Sequence, residues 1–136
     1  MTTRQFSRLF VFTAAFVFTA VLLFSGPTVS SAGKGDRSAP TVPSSLMVTA
    51  VTDWSVSLSW QGSTDNSGKL SYKVKITNLN NSTYNSLATV SQSQTTYTAK
   101  YLARDSNYTF PAYAVDDAGN KSSDSNIASA HTLADT

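Results

Sequence analysis

The chain has 136 residues, with ten Lys and Arg against eight acidic residues, one histidine and no cysteine. That length allows one domain, and the missing cysteine excludes a disulfide framework and lipid attachment through a thiol. The net charge of +2 belongs to Arg4 and Arg8; without them eight bases face eight acids, which excludes a basic patch for nucleic acid or anionic lipid.

Residues 1–8 are polar, and the sixteen residues from Leu9 to Phe24 are apolar apart from Thr13 and Thr19. Gly26 and Pro27 then break any helix, and Ser30, Ser31 and Ala32 offer small side chains to a peptidase. This order predicts a secretory signal peptide over residues 1–32. The rival, an uncleaved membrane anchor, needs about 20 apolar residues, more than this run supplies. Cleavage leaves a secreted protein of about 104 residues, large enough to fold on its own core, with no membrane partner. Residues 33–43 contain Pro40 and Pro43 and read as an extended linker. A folded domain is expected over 44–133, with a tail at 134–136.

Within 44–133, strand signals recur at short intervals with Ser, Asn, Asp and Gly between them. Seven strands are predicted: 46–51, 55–60, 71–77, 84–90, 95–99, 107–115 and 126–132. Helical periodicity is missing, so the pattern implies an all-β, two-sheet sandwich. Alternation nominates Leu46, Val48, Val56, Leu58, Trp60, Tyr72, Val74, Ile76, Tyr97, Leu102, Tyr108, Phe110, Ala112 and Ala114 as the core, with Trp60 at its centre. In the last strand Ile127 and Ala128 compete for the inward face. Pro111 falls inside a strand that should be central, and a proline deletes a ladder donor; a bulge or break is expected there, with Pro111 outward.

The ordered segments Ala39-Pro40, Pro43, Leu46, Ser55-Val56-Ser57-Leu58-Ser59-Trp60, Ser63-Thr64-Asp65-Asn66, Tyr72-Lys73-Val74, Thr95-Thr96-Tyr97-Thr98, Leu102, Tyr108 and Ala114-Val115-Asp116-Asp117-Ala118-Gly119-Asn120 resemble a fibronectin type III domain. The likeness is to domains of secreted bacterial proteins, actinobacterial ones included, and runs from about residue 39 to 132. It implies a seven-stranded, immunoglobulin-like topology. It gives Tyr108 a tyrosine-corner role, its ring in the core and its hydroxyl bonded to backbone near residues 102–105. Two departures stand out besides Pro111. Arg104-Asp105 replaces a turn that often holds proline and glycine, and Tyr101 stands where glycine is frequent.

The residues offer little chemistry. His131 lies in the last strand and reads as a solvated strand residue, without the pocket and orienting partner that nucleophilic catalysis requires. Asp116 and Asp117 are neighbours in a turn, where Asx capping accounts for them, so no catalytic residue and no cofactor are expected. The 62–69 and 116–125 loops share one end of such a sandwich and supply Asp65, Asn66, Asp116, Asp117, Asn120 and Asp124. Calcium takes 6–8 oxygen ligands, but turn formation explains the same side chains, and no metal is expected. Trp54 is either a lid over the end of the core or an exposed ring for a sugar or a partner. Tyr101 is a second candidate for stacking, with Tyr84 and Tyr113 beside it. The tripeptide Lys34-Gly35-Asp36 is too short to carry weight. The N-x-S/T triplets at Asn80, Asn81, Asn107 and Asn120 matter only in a host that glycosylates them.

The expectation is a secreted, monomeric, non-catalytic module acting as a spacer or adhesion unit, cut from or related to a larger extracellular protein. The alternative is an accessory carbohydrate-binding module that accompanies polysaccharide hydrolases. Polysaccharide, cell wall or a protein surface is the partner in either case.

Overall fold

The computed structural model describes residues 35–82 and 85–135; the expected signal segment, Lys34 and Tyr84 lie outside them. Eight strands form: β1 (Ser44–Val51), β2 (Ser55–Gln61), β3 (Leu70–Asn78), β4 (Asn85–Ser91), β5 (Thr96–Lys100), β6 (Asn107–Phe110), β7 (Ala112–Asp116) and β8 (Ala128–His131). They make two sheets. One has the order β1-β2-β5; the other has the order β4-β3-β6-β8, with β7 also paired to β3. Every pairing is antiparallel. This is the expected all-β sandwich, and the eighth strand arises because one expected strand is split.

Pro111 makes the split. It has no N–H to give, and the strand is interrupted between β6 and β7. Its carbonyl still accepts from Lys75 N–H at 2.9 Å, so the strand stays attached to β3. The alternation does not slip, because Tyr108, Phe110, Ala112 and Ala114 are all buried while Pro111 is half-buried on the other parity. Beyond the break β8 no longer pairs, and serines take its place. Ser125 Oγ accepts from Ala112 N–H at 3.0 Å and Ser122 Oγ accepts from Ala114 N–H at 2.9 Å. Ser125 and Ser122 N–H donate back to the carbonyls of Ala112 and Ala114. On the side away from β3, the backbone groups of Ala112 and Ala114 are thereby satisfied without a second strand beside them.

The core lies between the sheets. Val56, Leu58 and Trp60 from β2 face Tyr72, Val74 and Ile76 from β3 and Tyr108 and Phe110 from β6. Trp60 meets Tyr72 edge-on, with ring centroids 5.4 Å apart and planes at 70°, a favourable arrangement of ring quadrupoles. Tyr108 and Phe110 stack at 6.2 Å. Leu70, Val90, Ala99 and Ala128 complete the interior, whereas Val48 and Tyr97 only pack against its margin. Val48 sits between two register shifts in β1 and is half-buried, and the alternation that began at Leu46 is lost after it. Tyr97 lies on β5, the edge of the smaller sheet. In the last strand Ala128 faces inward and Ile127 is 64% exposed.

Two side chains close gaps in the backbone ladder. Asn126 Nδ2 donates to Leu46 C=O at 2.8 Å while its Oδ1 accepts from Leu46 N–H at 3.0 Å. This clamp ties β1 to the segment before β8. The Tyr72 hydroxyl accepts from Ser63 N–H at 2.8 Å, and a Cβ on Gly62 would lie 3.2 Å from that oxygen. Glycine is what lets the loop after β2 come down onto Tyr72.

Trp60 is 5% exposed. Trp60→Ala is expected to lower the unfolding free energy by about 3–5 kcal/mol in urea titration, and a change below about 1 kcal/mol would remove the ring from the core.

Candidate functional site: an aromatic pair at one pole

The turn between β1 and β2 is held by Thr52. Its Oγ1 accepts from Ser55 N–H at 2.9 Å and Trp54 N–H at 3.3 Å, and Thr52 N–H reaches Ser55 C=O at 2.9 Å. Such a hydroxyl-capped turn projects the intervening residues outward. Leu102 N–H then donates to Trp54 C=O at 3.0 Å, which brings the chain leaving β5 against the turn. Trp54 and Tyr101 consequently meet with ring centroids 6.0 Å apart and planes at 38°. Trp54 is 43% exposed and Tyr101 84% exposed. Arg104 flanks the pair, its Nε 3.1 Å from Asp53 and its guanidinium also paired with Asp135.

Tyr101 has φ near 60° and Asp105 φ near 48°. Both keep a left-handed turn geometry that glycine adopts without cost. A large exposed ring held in that geometry is not explained by packing.

The remaining candidates are dispersed. Trp60, Tyr72, Leu102 and Tyr108 are buried. The Tyr108 hydroxyl accepts from Ala103 N–H at 2.8 Å and meets Asn78 Nδ2 at 2.9 Å. Tyr113 is half-buried on the larger sheet, with Lys75 Nζ 5.2 Å from its ring centroid. His131 is exposed and bridges Asp105 at 3.0 Å and Asn107 at 3.1 Å, a clasp across the turn before β6. Asp124 pairs with Lys75 at 2.6 Å and Asp117 is exposed. Burial pushes the Asp116 carboxyl up, but hydrogen bonds from the Asn120 side chain and from the backbone N–H groups of Asn120, Ala118 and Gly119 hold it below the ordinary carboxylate value.

The family model for the fibronectin type III domain matches residues 38–130. The chain belongs to the fibronectin type III family. It is 44% identical over 103 residues to chitinase A1 of Niallia circulans, covering 75% of this chain and 13% of that protein. It is 38% identical over 97 residues to chitinase Chi52 of Paenibacillus xylanexedens, covering 71% and 17%. Among solved structures, the FN1–FN3 domains of chicken CNTN1 match with a TM-score of 0.60 at 19% identity, over 68% of this chain and 31% of that one. The FN5 domain of Drosophila Lar matches with a TM-score of 0.59 at 16% identity, over 71% and 100%. At such identity the structures establish the fold alone. This fibronectin type III domain thus spans less than a fifth of either chitinase.

The pole gives one test of its backbone. Tyr101→Gly and Tyr101→Ala both lose the ring, yet only glycine fits φ near 60°. The glycine variant is expected to be more stable than the alanine variant by about 1 kcal/mol in denaturant titration; the reverse order would refute the left-handed assignment.

Proposed function

We propose that this domain is a secreted, non-catalytic module that spaces or joins the parts of an extracellular polysaccharide-degrading system. The observation that carries this reading is the 44% identity to a segment making up only 13% of a chitinase: a relative of that kind is a component beside a catalytic domain. The apolar segment 9–24 followed by small residues supports export. The sandwich suits a spacer because its two sheets close over one shared core.

A second reading adds contact with polysaccharide through Trp54 and Tyr101. The two exposed rings at 6.0 Å favour it, since aromatic faces stack on apolar faces of ligands and anchor recognition surfaces. The Arg104 charge beside the pair is matched by Asp53 and Asp135, which suits a neutral ligand such as a β-linked glucan or chitin chain.

Depletion from solution by insoluble chitin, cellulose and cell wall distinguishes the two readings. Binding to one of them that falls about tenfold in Trp54→Ala, the equivalent of about 1.4 kcal/mol, with an unchanged melting midpoint, supports the contact. Failure to bind any of the three removes the polysaccharide contact and leaves the spacer.

A further inference from the structure

A bare sheet edge is a template for another strand, and folded proteins guard it with charge, proline, bulges or shortness. The edge strands are β1 and β5 in the smaller sheet and β4 and β8 in the larger. Three of them are guarded. β1 shifts register twice, and Asn126 takes both backbone groups of Leu46. β5 has five residues and ends on the exposed Lys100. β8 has four residues, and Ser122 and Ser125 cap the stretch of β7 beyond it. β4 has none of these devices. Its seven residues, Asn85-Ser86-Leu87-Ala88-Thr89-Val90-Ser91, include no charge, no proline and no glycine. Its register with β3 runs unbroken from Asn85 to Ser91. Among the described residues no strand lies on its other side.

The parity of the β3 ladder decides which groups of β4 point outward. Lys75 N–H donates to Pro111 C=O, and just past the strand Leu79 N–H donates to Asn107 C=O. The odd-numbered residues of β3 thus turn their backbone groups toward β6 and β7. In an antiparallel ladder the residue opposite such a residue turns its own groups away. Lys73, Lys75 and Thr77 stand opposite Thr89, Leu87 and Asn85. Asn85, Leu87 and Thr89 therefore each aim an N–H and a C=O at solvent, a row with the spacing of a β-ladder. Their side chains lie on the outer face of the sheet, where Leu87 is 53% exposed.

We infer that β4 pairs antiparallel with β4 of a second copy of this chain, against the monomer expected from the sequence. Leu87 of one copy stands opposite Leu87 of the other, and Asn85 opposite Thr89. The occupant of this edge must be an uncharged extended segment whose outward groups match in number and spacing, and β4 itself meets each condition. Two-fold symmetry lets the one segment supply both strands. This register pairs every outward N–H and C=O of the three residues and sets the two exposed leucines side by side on one face. No charge on either strand opposes the approach. Seven residues span about 24 Å, and a contact one strand wide falls below the roughly 800 Å² per partner of a standard interface. The pair is therefore weak and forms where the module is concentrated. Antiparallel pairing points the two copies in opposite directions, so the dimer is a bridge with a Trp54–Tyr101 pole facing outward at each end.

The test is sedimentation equilibrium of the full chain. Its average mass is expected to climb from monomer toward dimer between about 10 µM and about 1 mM. Leu87→Lys sets two like charges opposite one another, and Thr89→Pro deletes an outward donor that β3 does not use. Neither change touches the β3 ladder or the core, so both variants should still melt cooperatively, with dimerisation at least about tenfold weaker. Ile127→Lys, an equal change of an exposed side chain beside β8, should dimerise as the wild type does. A monomer mass throughout overturns the inference and leaves β4 to a strand from another protein. Association that survives both Leu87→Lys and Thr89→Pro, or that Ile127→Lys weakens as much, belongs to another surface and overturns it too.

Discussion

The hydroxyl of Tyr108 fixes how the chain passes from one sheet to the other. Its ring is buried among the core side chains and stacks on Phe110. Its oxygen meets Ala103 N–H and Asn78 Nδ2. Ala103 lies in the passage from β5, in the smaller sheet, to β6, in the larger, and Asn78 ends β3. One buried oxygen therefore ties together the crossing segment and the central strand of the larger sheet. A buried hydroxyl must be bonded, so the ring can occupy the core only with this crossing in place.

The two poles follow from that crossing. On one side it delivers Leu102 N–H to Trp54 C=O, and so lays Tyr101 beside Trp54. On the other it starts β6, which continues through the break at Pro111 into β7 and carries Asp116 to the far end. Pro111 relieves that far end of β8, and serine side chains satisfy β7 in its stead. The loop bearing Asn120 is then free to turn back over Asp116 and meet Asp36. An aromatic pole and an acidic pole thus share one scaffold.

Much of the fold is legible in the sequence because a half-buried strand shows its period directly. Val56, Leu58 and Trp60 alternate with serines, and each is buried. The break at Pro111 is legible too, since a missing N–H has a single local consequence. Val48, nominated for the core, is only half-buried, in the stretch of β1 where the pairing with β2 shifts register twice. Leu70 keeps the alternation of Tyr72, Val74 and Ile76 and opens β3 one residue before the expected start, and Val90 is the one buried residue of the edge strand β4. Trp54 and Tyr101 stand out singly as aromatics in unusual places, but their pairing rests on a backbone bond that no local pattern announces. Asp36 is harder still. It sits in a proline-bearing stretch that reads as linker, 30 positions from Asn66 and 84 from Asn120. Only the folded chain brings it to Asp65 and Asp116.

The dependence of both poles on the Tyr108 oxygen is most directly measured by replacing that one atom. Tyr108→Phe keeps the ring and leaves the Ala103 N–H and Asn78 amide without their acceptor. Denaturant unfolding is expected to show a loss of about 1–3 kcal/mol, with the near-ultraviolet signal of the Trp54–Tyr101 pair weakened in the folded state. An unchanged midpoint together with an unchanged aromatic signal would contradict the account.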